Sequence, residues 1–183
     1  MDIESYSIME SIFIVLLIMS PAYLSNTIAV LTGGKYPIDQ GKLFSDGNRI
    51  LGDGKTWSGL VGGTFGGMVI GYLLIVSVYD FIWESLNFSI LFLLSFGALF
   101  GDMSASFYKR RQNLQRGEKF ALLDMYDFVF MSLLLCFIFE RDWLLSWIFD
   151  GWIPLFTILI LTPFLHRGVN IIGFKIGVKK EPW

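Results

Sequence analysis

Three aspartates stand where apolar stretches meet basic ones. Asp102 lies shortly before the run Lys109-Arg110-Arg111, and Asp124 and Asp127, three apart, open the next apolar stretch. On a helix that spacing places both carboxylates on one face. Carboxylate oxygens are hard ligands, and Mg²⁺ takes a few of them together with substrate phosphates while keeping waters. Asp102, Asp124 and Asp127 are therefore the expected metal-binding and catalytic acids, with Mg²⁺ the expected cofactor. The plainer alternative is that each acid only pairs with a neighbouring Lys or Arg. Lys109, Arg110 and Lys55 complement the acids, because cations beside them would draw an anionic substrate. For Arg111, Arg116, Lys119, Lys179 and Lys180 the expected role is to set topology and touch anionic headgroups. His166, the one histidine, reads as an interface residue at the inner end of the last apolar stretch or as a substrate contact. No Walker-type loop, nucleotide-binding strand-turn-helix or zinc-binding histidine pair is present.

The elements that must hold these groups are membrane helices. Of the 183 residues 54% are hydrophobic and only 16% charged, which excludes an ordinary soluble domain. The net charge of -2 offers nucleic acid no bulk attraction, and the single Cys136 rules out an internal disulfide. Its position in an apolar run marks it as a small buried hydrophobe. A helix satisfies its own backbone in lipid and crosses the hydrocarbon with roughly 20 residues. Five stretches qualify: Ile8 to Leu31, Ser58 to Phe81, Phe88 to Phe107, Leu122 to Phe139 and Leu144 to Leu165. The expected fold is thus one all-α integral membrane domain over residues 1–183, with five transmembrane helices. The third and fourth reach full length only by including Asp102, Asp124 and Asp127 near one end, and an acid there is costly enough to need a reason.

Lys and Arg accumulate on the cytoplasmic side of short loops. Here they concentrate in loops of about 32–57 and 108–121 and in the tail, while Arg141 alone is basic on the other side. The N-terminus is expected outside, the C-terminus and both long loops inside, and the outer connections short. Acids without Lys or Arg before the first stretch, and no small-residue cleavage site after it, argue against a removable secretion signal. Gly59, Gly63, Gly67 and Gly71, in steps of four, mark a close-packing helix face that suits an internal helix pair or a homodimer equally.

Two stretches resemble a known family. Lys55-Thr56-Trp57-Ser58-Gly59, followed by Gly62-Gly63, resembles the K-T-W-x-G segment of CTP-dependent phosphatidate cytidylyltransferases. Gly101-Asp102-Met103-Ser104-Ala105-Ser106-Phe107-Tyr108-Lys109-Arg110 resembles their G-D-x-x-x-S-x-x-K-R signature, and Asp124-Met125-Tyr126-Asp127 its closing D-x-x-D. The chain departs from the bacterial and eukaryotic members at Ala105, where Glu is usual, at Phe120-Ala121-Leu122, where they have His-Gly-Gly, and at Met125, where they have Arg. The short five-span chain, the Asp46-Gly47-Asn48-Arg49 loop and the ending Lys179-Lys180-Glu181-Pro182-Trp183 are more similar to the archaeal, ether-lipid branch of CDP-archaeol synthases.

That resemblance implies transfer of CMP from CTP to the unsaturated ether lipid 2,3-bis-O-geranylgeranylglycerol 1-phosphate at the cytoplasmic face of the cell membrane. It also implies phosphate-side contacts at Lys55 and Thr56, a substrate role for Ser106, and nucleotide contacts at Asp46, Asn48 and Arg49. A lipid phosphate is largely deprotonated at neutral pH, its second pKa being about 6, so no protein nucleophile or base is required. Three other readings stay open: a cytidylyltransferase acting on phosphatidic acid, a CTP-dependent polyprenol kinase, and a small carrier or scaffold whose charges only define topology. Carriers place ionisable groups near the midplane, whereas these aspartates lie toward one face.

Overall fold

The computed structural model describes residues 6–78, 86–115, 118, 120–175 and 177. Arg116, Lys119, Lys179, Lys180 and residues 79–81 of the second expected span lie outside them. Among the described residues the fold is helical: α1 (Ile8–Thr32), α2 (Trp57–Val78), α3 (Phe88–Arg111), α4 (Ala121–Phe139), α5 (Arg141–Trp147) and α6 (Trp152–Lys175). Local chemistry explains where they begin. Ser7 and Glu10 form a reciprocal capping box on α1. The Asn87 side chain accepts from the Ile90 N–H at 2.9 Å to open α3, and Thr56 does the same for α2 through the Gly59 N–H at 3.1 Å.

Helices α1, α2, α3 and α6 are long and apolar enough to cross a membrane. With 19 residues, α4 is about as long as the hydrocarbon is thick. Large apolar side chains that no neighbour covers, including Val61, Phe65 and Leu73 on α2 and Phe156, Ile160 and Phe164 on α6, suit contact with lipid tails. The chain is a multi-pass membrane protein.

The glycine ladder of α2 faces α1. A Cβ built at Gly63 would lie 2.7 Å from the Ala29 Cβ, one at Gly67 2.9 Å from the Pro21 carbonyl oxygen, and one at Gly71 2.5 Å from the Pro21 ring. The ladder therefore serves an internal helix pair, with no room for another chain on that face. A second close approach joins α3 to α4. Cβ atoms at Gly97 and Gly101 would meet the backbone of Ser132 and Asp127, and Ser132 Oγ bonds the Leu94 carbonyl across the same seam at 2.8 Å.

The last expected helix is corrected. Instead of one helix over 144–165, the chain forms the short α5, breaks at 148–151, and starts α6 at Trp152. The break falls at Asp150-Gly151, and Pro154 is tolerated only because it sits in the first turn of the new helix. The connection after α4 is accordingly not the short turn expected, since Trp143, Leu144 and Trp147 of α5 are buried against the bundle. His166 is a second correction: α6 continues to Lys175, so His166 lies within it, stacked on Phe128 at 6.0 Å, rather than at a helix end.

Candidate active site

The polar loop 33–56 is ordered by its own hydrogen bonds. Ile38 N–H donates to the Lys55 carbonyl at 2.8 Å, and isolated bridges join Pro37 to Thr56 and Leu43 to Arg49. At its centre is Asp39, whose side chain has 0% exposure and meets Arg49 at 2.6 Å. The Leu51, Gly52 and Gly41 N–H groups also donate to Asp39, at 3.0, 2.9 and 3.2 Å. Burial alone would raise the Asp39 pKa, but the Arg49 guanidinium and these three N–H donors outweigh it and hold the carboxyl far below the usual carboxylate range. Asp39 in turn raises the Arg49 pKa, and Asp53 adds to this from 2.8 Å. Gly52 makes this turn at φ +99°, a backbone angle that side chains rarely permit.

A depressed carboxylate contributes stability that is present above its unfolded pKa of about 4 and lost only as pH falls through the folded value. Loop order should therefore be insensitive to pH between 5 and 8. Asp39→Asn, by contrast, is expected to destabilise the loop by about 3 kcal/mol at neutral pH, because Arg49 loses its buried partner. Protease cleavage within residues 33–56 in detergent measures it, and unchanged protection would show that the ion pair does not hold the loop.

The loop is fastened to the end of α3 by Arg111. Its guanidinium lies over both the Phe44 and Phe107 rings, 4.6 and 4.8 Å from their centroids, and the two rings meet edge to face. One nitrogen donates to the Arg49 carbonyl at 2.7 Å. Another approaches Asp46 at 2.9 Å, close enough for an ion pair but not aligned for a hydrogen bond. Asp46 itself is held below its ordinary pKa, first by the Asn48 N–H. Asn48 also reaches Asn113 at 2.8 Å. The expected role of Arg111 as a topology residue is thus corrected: it pins the loop. Asp46, Asn48 and Arg49, expected at the nucleotide, are engaged inside this fastening.

The signature residues converge beside it. Lys55 forms an ion pair with Asp102, whose side chain is 36% exposed. One helical turn on, Ser106 is buried on the same face of α3. Lys109 meets Asp124 at 2.8 Å and the Glu118 carbonyl at 3.3 Å. Asp124 also accepts from the Phe120 N–H at 2.9 Å, where the positive end of the α4 dipole favours an acid. Asp127 lies within electrostatic range of Asp102, Lys55 and Asp124. Its backbone is where a Cβ at Gly101 would collide, at 2.2 Å from the Asp127 carbonyl oxygen. Arg110 donates to the Leu114 carbonyl and sits against Gly52. The Thr56 hydroxyl oxygen accepts from both Gly34 and Gly59, so what it can offer a ligand is its proton.

Among the described residues no group of three or more acids, His or Cys closes into a ready-made metal cage. The donor set nevertheless fits a hard divalent ion of the kind that relies on substrate phosphates for half its shell. Three carboxylates face one region with only two lysines to balance them. A small, partly open cleft adjoins the site, running from Lys55, Thr56 and Asp102 down between α1, α2 and α3 to Asn26 and Leu99.

A helical membrane bundle with an acid-and-lysine site at one end, opening into a cleft between its helices, has the makings of an enzyme that works on a charged group at the membrane surface. Relatives give that class a family. The family model CarS-like: CDP-archaeol synthase matches residues 8–183, and the chain belongs to that family. The CDP-archaeol synthase of Methanosphaerula palustris is 50% identical over 171 residues, covering 90% of this chain and 100% of the relative. That of Methanospirillum hungatei JF-1 is 47% identical over 169 residues with the same coverage. The Picrophilus torridus synthase is 42% identical over 184 residues, 96% of this chain and 97% of the relative. A solved structure described as "Structural insight into an intramembrane enzyme for archaeal membrane lipids biosynthesis" superposes with TM-score 0.65 at 29% identity, covering 94% of this chain and 96% of that one.

Proposed function

We propose that this chain transfers the cytidylyl group of CTP to 2,3-bis-O-geranylgeranylglycerol 1-phosphate, forming the unsaturated CDP-archaeol and pyrophosphate. A phosphate oxygen of the lipid attacks the α-phosphorus of CTP. The bond from that phosphorus to the bridging oxygen breaks, and pyrophosphate leaves with the electron pair. The observation that carries this reading is the meeting of Lys55–Asp102, Lys109–Asp124 and Asp127 at one end of the bundle, beside an interhelical cleft. Family membership supports the same chemistry.

With no covalent step for the protein, its task is positioning and charge neutralisation. Lys55 and Lys109 balance the acids at rest and turn to substrate phosphates when these arrive. Arg110 adds a third cation, and the Thr56 and Ser106 hydroxyls donate to phosphate oxygens. Asp46, Asn48 and Arg49 serve the nucleotide by holding loop 33–56 in shape. Asp102, with Asp124 or Asp127, would hold Mg²⁺, which when bound neutralises charge on transferring and leaving phosphates. The site faces the cytoplasm of a cell-membrane protein with α1, α2, α3, α4 and α6 as five spans and the N-terminus outside, as the distribution of Lys and Arg supports. The lipid enters laterally, keeping its chains in the bilayer.

The test is incubation of purified protein with labelled CTP, Mg²⁺ and the ether-lipid phosphate, with and without chelator, beside a phosphatidic acid control. A chelator-sensitive, cytidine-containing ether lipid with pyrophosphate release is expected. A phosphorylated lipid without cytidine would mean a kinase, preference for phosphatidic acid the ester branch, and no product from a folded protein a carrier or scaffold. In the same assay Lys109→Ala should raise the KM for a phosphate substrate about tenfold, the loss of one charge-assisted contact. An unchanged KM would leave Lys109 as the structural partner of Asp124.

A further inference from the structure

Between the two acids that open α4 stands a side chain that the chemistry above does not use. Tyr126 donates its hydroxyl proton to the Leu159 carbonyl of α6 at 2.7 Å. That carbonyl is open for a covalent reason. Its partner within α6 would be the N–H of residue 163, four further on, and residue 163 is a proline, which has none. In hydrocarbon a carbonyl freed in this way has to be met from a neighbouring helix. One residue before the proline, the buried Thr162 is bonded to Tyr23 of α1 at 2.9 Å. The proline turn of α6 is thus fixed to α1, and Tyr126 hooks α4 onto the same point.

The hook matters because of what else holds the acids of α4. Toward α3, the backbone at Asp127 meets Gly101, a contact that sets the distance between the helices but brings no side chain to resist rotation. The hydrogen bond from Ser132 to the Leu94 carbonyl lies more than a turn deeper in that seam. Lys109 crosses from α3 to Asp124, but that tie ends when the lysine turns to a substrate phosphate. With a carboxylate about 6 Å from the helix axis, a rotation of α4 by about 10° displaces it by about 1 Å. Helix α1, in turn, is packed to α2 through the glycine ladder, and α2 begins just after Lys55 and Thr56. We infer that Tyr126 is a positioning residue for the transfer reaction: its bond to the carbonyl that Pro163 frees sets the rotation of α4 and so holds Asp124 and Asp127 in place against Asp102 and Lys55. This rests on the proposed cytidylyl transfer.

The experiment pairs steady-state kinetics with thermal melting in detergent, for Tyr126→Phe alone and for Tyr126→Phe combined with Pro163→Ala. Phenylalanine keeps the ring and removes the donor. It should lower kcat about tenfold, a part of the roughly 100-fold that a misplacement of about 1 Å costs. The KM for the lipid phosphate should not change, and the melting temperature should fall by a few degrees. In the double variant the alanine N–H takes the Leu159 carbonyl, so the melting temperature should recover while kcat stays low, because α4 is still unhooked from α6. Recovery of kcat together with the melting temperature would make Tyr126 a stabilising residue only and overturn the assignment. So would an unaltered kcat in Tyr126→Phe, a rise in the lipid KM at unchanged kcat, or a double variant that melts no higher than the single one. Failure of the functional reading looks different: the unaltered enzyme would form no cytidine-containing lipid at all.

Discussion

Asp102→Asn is expected to lower turnover about 10³-fold, the scale of losing one preorganised charge interaction at a transferring group, while leaving the protein folded. The separation of the two effects follows from geometry. Asp102 is 36% exposed and Lys55 22%, so their ion pair is partly solvated and contributes little to stability, about 1 kcal/mol at most. Asparagine keeps the size of aspartate and one acceptor oxygen but cannot offset the charge of a cation shared with phosphates. Thermal melting in detergent should move by only a few degrees, whereas lipid-linked cytidine should form at the edge of detection. Asp124→Asn is a less clean version, since Lys109 and the Phe120 N–H donate to different oxygens of that carboxylate and asparagine keeps only one of them. Near-normal turnover of the Asp102 variant would return these acids to plain ion pairing.

The second large effect requires no change of charge. Gly101→Ala should reduce turnover about 100-fold, the typical penalty for misplacing reacting groups by roughly 1 Å. The new methyl group would stand 2.2 Å from the Asp127 carbonyl oxygen and 2.9 Å from the Phe128 Cα. These are backbone atoms that no rotamer change can move aside, so α3 and α4 must part by about the distance between that contact and an ordinary one. Gly101 is the neighbour of Asp102, and Asp127 is the residue it touches, so the separation falls between two of the three acids. Gly97→Ala is the control. It meets Ser132 at 2.6 Å in the same seam, one turn deeper in the bundle. It should lower the melting temperature comparably with a much smaller loss of turnover. If the two variants lose activity alike, the seam matters for stability only.

Much of this site is legible in the chain because its signals are local. Asp102, Lys109 and Arg110 lie at positions i, i+7 and i+8 of one helix, so their sharing of a face follows from helical period alone. Length and apolarity identify the helices for the same reason, as each satisfies its backbone internally. The errors lie where packing decides. A continuous apolar reading from Leu144 onward could not reveal that Trp143, Leu144 and Trp147 turn in to form α5 and that the chain restarts at Trp152. Arg111 reads as one more loop cation until Phe44, far away in sequence, is seen across its guanidinium. Asp39 is one of three acids in a polar loop, and only its burial against Arg49 and the Leu51 and Gly52 N–H groups sets it apart.

The amino-acid sequence by itself determined that the protein is a helical membrane bundle, which end carries its charge, and which residue types would do phosphate chemistry there. Those properties depend on hydropathy, helical period and ionic character, all carried by neighbours in the chain. Only the tertiary structure decided which acid meets which lysine and that the glycine ladder serves α1. The same is true of the distance between Asp102 and Asp127, set by Gly101 against a backbone 26 residues away. Those relations join residues that are remote along the chain, and close packing between helices, which no local pattern encodes, is what brings them together.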